Sequence, residues 1–204
     1  TETALNIYLS EKLRAFHTEY PGIRLRISNH STPQAVQAVK NGEVDFAIVT
    51  TPAETEPGLK TVELQSFYEI LVGGNSFRTL ADHSLTLKEL SAYPLISLGD
   101  ESMTRSFYRQ FFLDHDALLR PDTEAATTDQ MLTLVKSELG LAFVPEPMAQ
   151  EPLARGEIVR LHLQEIIPLR SVCLVYDPHR PLNTAARRFQ QLLTDDAPKE
   201  KHAL

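Results

Sequence analysis

Hydroxyl side chains recur just ahead of the places where helices are expected to begin. Thr1 and Thr3 precede the first, Ser31 and Thr32 the second, Ser102 and Thr104 a third rich in phenylalanine, and Thr127 and Thr128 a fourth. A helix N-terminus presents unpaired N–H groups and a partial positive charge, and a hydroxyl in the same place can donate to a ligand oxygen. Taken singly, each of these residues would only cap its own helix. In an open parallel α/β sheet such junctions gather at the carboxyl ends of the strands, where ligands bind. Several together would therefore suit a small anionic or polar molecule.

Other chemistries lack their residues. Gly73-Gly74 is the only glycine pair, and neither GxGxxG nor GxxxxGK[ST] occurs, so the usual phosphate-cradling loops are missing. The seven histidines, His17, His30, His83, His115, His162, His179 and His202, show no HExxH or similar ligand spacing. Asp114-His115-Asp116 reads as a solvated helix end. There is no GxSxG elbow, and the adjacent carboxylates Asp195-Asp196 fall in a polar tail. Cys173, the single cysteine, lies within Val172-Cys173-Leu174-Val175 and reads as a small buried hydrophobe. The expectation is a binding protein that uses no metal or cofactor and is not an enzyme.

Charge and hydropathy narrow the partners. Lys and Arg number 20 against 27 Asp and Glu, and the net charge of −7 has the wrong sign for neutralising a phosphate backbone. The apolar runs are too short to cross a bilayer, and no basic segment followed by an apolar stretch opens the chain. A cytoplasmic protein with no membrane partner is expected. With 204 residues, 42% of them hydrophobic, the chain can bury one substantial core or two small ones.

The elements that must position these hydroxyls follow from periodicity. Leu5, Tyr8, Leu9, Leu13, Phe16 and Tyr20 recur at three- and four-residue intervals, predicting a helix that Pro21-Gly22 stops. Ile23-Arg24-Leu25-Arg26-Ile27 alternates as a strand does. Thr32 has the form of an N-cap before Pro33, opening a helix that ends at Asn41-Gly42. Val44 to Val49 then reads as a buried strand, completing a right-handed βαβ unit. Extended stretches are expected at Leu59 to Leu64 and Glu69 to Val72, a capping box at Thr86 and Glu89, and a strand at Leu95 to Leu98. A helix over Ser102 to His115, a strand at Thr123 to Ala126 and a helix opened by Thr128-Asp129 and ended by Gly140 come next. Strands at Leu141 to Val144, Ile158 to Leu163 and Ser171 to Tyr176, then a helix over Thr184 to Leu193, close the chain.

Leu13-Arg14-Ala15-Phe16 through Tyr20-Pro21-Gly22-Ile23-Arg24-Leu25-Arg26-Ile27, followed by Asn41-Gly42-Glu43-Val44-Asp45-Phe46-Ala47-Ile48-Val49, resembles the effector-binding (substrate-binding) domain of LysR-type transcriptional regulators. The pattern there is F-x-x-x-Y-P, an alternating strand, then G-x-x-D-x-A-I. The likeness continues through Pro94-Leu95-Ile96 and Glu138-Leu139-Gly140-Leu141-Ala142-Phe143-Val144-Pro145 and reaches Phe189.

The resemblance implies an α/β, two-lobed periplasmic-binding-protein-like (type 2) fold with two crossing strands as hinge and the effector in the inter-lobe cleft. Lobe I would be residues 1–70 with 174–193 returning to it, lobe II residues 71–173, and 194–204 a tail. Carried onto matching positions, the ligand-binding residues are Thr1, Thr3, His30, Ser31, Thr32, Ser97, Ser102, Thr104 and Thr128. The implied partners are a small anionic effector and a second copy of the chain, with Leu9, Leu13 or Phe16 exposed for pairing. DNA would be reached only through a winged helix-turn-helix domain absent from this sequence, as is most of the domain's first strand. The alternatives are a transport-associated solute-binding protein of the same fold and an enzyme built on it.

Overall fold

The computed structural model describes residues 1–53 and 56–195, so the tail expected over 194–204, Asp196 and His202 included, lies outside the described residues beyond position 195. The chain forms two compact units, one of Thr1–Ser66 with the chain from Ser171 onward, the other of Phe67–Arg170.

In the first unit, Glu2–Ala4, Leu5–Leu9 and Ser10–Glu19 make one helical run, α1, whose middle turn is π. Its buried stripe is Ala4, Tyr8 and Phe16. The Phe16 ring stands 4.8 Å from that of Phe189 and 4.9 Å from that of Tyr20, and the Tyr8 hydroxyl donates to Leu193 O at 2.6 Å. Phe16 is thus core, not the exposed pairing residue expected; its period matched the buried stripe, and periodicity cannot say what the stripe faces.

Helix α2 (Thr32–Asn41) stops at Gly42, whose φ of 77° is the left-handed cap that glycine accepts without strain. Its Ala35, Val36 and Val39 pack on Ala47 and Val49 of β1 (Phe46–Thr50) and on Cys173 and Val175. β1, β2 (Lys60–Phe67) and the later β9 (Arg170–Tyr176) form a sheet in the order β1-β9-β2, with β1 antiparallel to β9 from Phe46↔Tyr176 to Thr50↔Val172. Cys173 is buried in β9, and burial pushes its thiol up to about 11, as expected of a packing residue.

Two expectations fail here. Ile23 to Ile27 is not a strand, and Leu25 and Ile27 are 40% and 56% exposed. Alternation chooses a face but supplies no ladder, and no described strand pairs with this segment. Helix α2 consequently does not complete a parallel βαβ unit, since β1 is an edge strand whose described partner is antiparallel.

The second unit holds a six-stranded mixed sheet in the order β4-β8-β3-β7-β5-β6, with β3 at Glu69–Gly73, β4 at Ser84–Leu85, β5 at Leu95–Leu98, β6 at Thr123–Ala125, β7 at Leu141–Pro145 and β8 at Val159–Leu163. Alternate side chains divide its core into two layers. Leu71, Leu95, Leu141 and Phe143 meet Tyr108, Phe111 and Phe112 of α3 (Met103–Leu113) on one face. Ile70, Val72, Ile96, Ala142 and Val144 meet Met131, Leu132 and Val135 of α4 (Thr128–Lys136) on the other, with Ala149 of α5 (Glu146–Ala154). The nearly continuous apolar runs of β3 and β7 record this coverage of both faces.

The Thr86/Glu89 capping box forms: Thr86 N–H donates to Glu89 Oε2 at 2.7 Å and Glu89 N–H to Thr86 Oγ1 at 3.3 Å. Helix α4 ends by Lys136 rather than at Gly140. The left-handed residue after it is Glu138, at φ 65°. Gly140, at φ 155°, instead allows close approach: a Cβ there would stand 2.4 Å from Pro94 O. Helix α5 gave no apolar period in the sequence. Pro147 fits its first turn because the missing N–H would be unpaired there in any case. The closing helix α6 (Thr184–Thr194) is capped by Asn183, which accepts from Ala186 N–H at 2.8 Å.

Candidate functional site

Strand β5 is parallel to both β6 and β7, so the three strands end at one edge of the second sheet, and the chain leaves them there into α3, α4 and α5. Four of the sequence-derived candidates sit along this edge. Ser97 is buried in β5 opposite Glu124. Ser102 is the N-cap of α3 in extended backbone, and its side chain makes no capping hydrogen bond. Thr104, half-buried in the first turn, accepts a hydrogen bond from Arg170 Nη2 at 2.8 Å. Thr128 is buried at the first position of α4. The cap of that helix is the preceding Thr127, which accepts from Gln130 N–H at 3.3 Å.

The other five belong to the first unit. Thr1 caps α1 by accepting from Ala4 N–H at 3.4 Å, and its nitrogen donates to Ile48 O of β1 at 2.8 Å. Thr3 is half-buried in the first turn, and His30 is exposed. The N-cap of α2 is Ser31, not Thr32. Ser31 N–H donates to Gln34 Oε1 at 3.1 Å in a reciprocal box, and this moves Thr32 to the first helical position, buried, with Pro33 second. Both registers satisfy the helix's preference for proline in its first turn; the glutamine three residues on decides between them.

Two buried guanidinium groups, Arg105 within α3 and Arg170 against its first turn, were not singled out in the sequence. Arg105 is 6% exposed; it donates to Leu98 O at 3.2 Å and lies 3.5 Å from Asp100 and 3.8 Å from Glu124. Its Nε has no partner among the described residues. Arg170 is ion-paired with Glu69, both fully buried. Glu69 starts β3 opposite Pro145, the last residue of β7, which brings the pair to the edge where the helices begin. The Arg170 guanidinium also lies 5.5 Å from the Phe67 ring and 5.2 Å from the Phe107 ring, within cation–π range of each.

The Tyr108 hydroxyl and the Glu69 carboxylate lie side by side in the core, each the other's polar neighbour. Burial raises the Glu69 carboxyl above its usual range against the pull of Arg170. Burial, with the neighbouring carboxylate second, drives the Tyr108 phenol well above its own. The signal that could have found the ion pair is compositional. Glu69 and Arg170 each stand at the start of a strand that is mostly apolar, and a charge buried in such a place must be paired.

Among the described residues no group of three His, Cys, Asp or Glu side chains could hold a metal ion, and no helix is long and apolar enough to cross a membrane. The edge can offer hydroxyl donors and helix N–H groups, with guanidinium groups already facing Glu69, Asp100 and Glu124.

The sequence profile of the LysR substrate binding domain matches residues 1–198. The chain belongs to that family. It is 26% identical over 166 residues to the HTH-type transcriptional regulator SsuR of Burkholderia cenocepacia, covering 81% of this chain and 54% of that protein. It is 25% identical over 189 residues to a probable RuBisCO transcriptional regulator of Gracilaria tenuistipitata var. liui, covering 88% and 60%. The chain thus spans little more than half the length of these relatives. Among solved structures it resembles the regulatory domain of Synechocystis PCC6803 CcmR in complex with 2-PG, at TM-score 0.84 and 18% identity over 97% of this chain and 95% of that one. The effector binding domain of QuiR in complex with shikimate gives TM-score 0.81 and 19% identity, covering 98% and 95%. The α/β, two-lobed periplasmic-binding-protein-like fold expected from the sequence is the fold these chains share.

Proposed function

We propose that this chain is the effector-sensing domain of a LysR-type transcription regulator and that it binds a small oxyanion-bearing metabolite. The observation that carries this reading is the start of α3. Ser102 stands at the cap without spending its hydroxyl on its own helix, and Thr104 stands beside it at the common edge of three parallel strands. Helix N–H groups, two hydroxyls and the nearby buried guanidinium of Arg105 make a place for negative charge. CcmR bound to 2-PG and QuiR bound to shikimate support the choice of a small ligand. Ser97 and Thr128 on the same edge join Ser102 and Thr104 in the proposed ligand-binding set.

In this reading the domain performs no catalysis. It acts in the cytoplasm as part of a homodimer, and it reaches DNA through a winged helix-turn-helix domain. The relatives' names support regulation. A thermal-shift screen tests the ligand class, because a ligand of the folded state raises Tm by mass action, by about 2.7 kcal/mol of stabilisation at a hundred times Kd. Metabolite carboxylates and phosphates should stabilise the wild type, while their uncharged amides and alcohols should not, and Ser102→Ala should lose most of the gain. Stabilisation by the neutral analogues alone, or equal stabilisation of wild type and Ser102→Ala, refutes the assignment.

A further inference from the structure

The ion pair between Arg170 and Glu69 calls for an explanation beyond stability. Taking two charges out of water costs more than their attraction usually returns, and a well-packed apolar pair in the same volume is often as stable or more so. The pair also buries the Tyr108 hydroxyl beside the Glu69 carboxylate, a further polar group taken out of water that an apolar core would avoid. What the arrangement does achieve is to fix one guanidinium. Glu69 holds Nη1, the Phe67 and Phe107 rings lie within cation–π range, and Nη2 donates to Thr104 Oγ1 at 2.8 Å.

Arginine has donors only and does not lose its proton in proteins, so Thr104 Oγ1 can only accept in this contact. The hydroxyl proton is therefore turned away from Arg170 and kept for another acceptor, while the second lone pair, beside a positive charge, becomes a poorer acceptor for a ligand N–H or O–H. A threonine free to rotate would serve a ligand donor or a ligand acceptor equally. Charge assistance from the guanidinium also strengthens the hydroxyl as a donor.

Resting on the reading above, we propose that Arg170, held by Glu69, is a positioning residue that keeps the Thr104 hydroxyl proton free to donate and thereby favours an oxyanion, carboxylate or phosphate, over ligands that present an N–H or O–H there. Three variants separate this role from a structural one. Glu69→Leu with Arg170→Met replaces the pair by apolar side chains without leaving a lone charge, Thr104→Val removes the hydroxyl, and Thr104→Ser restores it.

Inorganic phosphate and, separately, acetate are titrated into the 204-residue chain while backbone amide NMR shifts of Ser102 to Arg105 are followed. Wild type and Thr104→Ser should respond alike. Thr104→Val and the Glu69/Arg170 double variant should each bind about tenfold more weakly, and all three changes together no more weakly than either alone, because they remove one interaction. Far-UV circular dichroism and a melting temperature at or above that of the wild type establish that the double variant is folded. If the folded double variant binds phosphate or acetate as the wild type does, or if Thr104→Val and the double variant add fully, Arg170 does not position Thr104, while the sensing reading stands. If neither anion moves the amides of α3 in the wild type, both the proposal and the anion class of the effector fall. A double variant that does not fold assigns the pair to stability and overturns the proposal.

Discussion

The Glu138 carboxylate accepts the backbone N–H of Asn75 at 2.8 Å, joining residues 63 positions apart. Its other oxygen accepts the Ser76 N–H at 3.0 Å and the Ser76 hydroxyl as well, so one carboxylate caps the 3-10 helix Asn75–Asp82. Glu138 reaches this turn from the left-handed residue that follows α4, at φ 65°.

These bonds, from the Ser76 hydroxyl first and then the backbone N–H groups, hold the Glu138 carboxyl below its ordinary value of 4.5. A group whose folded pKa is depressed contributes stability above its unfolded pKa and loses it as the pH falls through the folded value. Glu138→Gln is therefore expected to be less stable than wild type at pH 7, and the gap should close as the pH drops below 4.5. Urea unfolding of both proteins at several pH values measures it. A gap independent of pH contradicts a role for the ionised carboxylate.

Gly140 should be intolerant of any side chain. Its φ of 155° and the 2.4 Å approach of a Cβ to Pro94 O combine backbone strain with a clash against main chain, while Leu141 N–H must keep its 2.9 Å bond to the same carbonyl. Gly140→Ala should cost about 2–4 kcal/mol, whereas Gly22→Ala, where a Cβ meets nothing within 4 Å, should change stability by less than about 0.5 kcal/mol. Equilibrium denaturation of the two variants side by side gives the comparison.

Phe16→Ala removes a ring packed against Phe189 and Tyr20 in the first unit. A loss of about 3–5 kcal/mol is expected for a buried phenylalanine, enough to threaten folding of the unit. Were Phe16 a surface contact between copies, the variant would instead keep its stability and lose self-association, which sedimentation would detect.

Ser31→Ala should cost about 1 kcal/mol, because it removes the cap of α2. Gln34→Ala breaks the returning bond to Ser31 N–H, so the double variant should lose less than the sum of the two. A cap-sized loss from Thr32→Ala with none from Ser31→Ala would put the cap back on Thr32.

What the sequence by itself determined were the features written in neighbouring residues. Asn41-Gly42 ends α2, Thr86 and Glu89 cap each other, and the apolar runs at Leu95 to Leu98 and Leu141 to Val144 form strands, because backbone preference and reciprocal caps act over three or four positions. The hydroxyls ahead of α3 and α4 were legible for the same reason. The alternation of Ile23 to Ile27 was equally clear, yet a strand exists only with a neighbour to receive its hydrogen bonds, and that is not a property of the segment. Phe16 showed its period but not whether its stripe faced Phe189 or solvent. Arg170 and Glu69 lie 101 positions apart and meet because β9, which Arg170 opens, is the neighbour of β2, which ends at Phe67 just before Glu69. Which buried charge finds which partner is set by strand order, and strand order is a balance of burial over the whole sheet that no local pattern encodes.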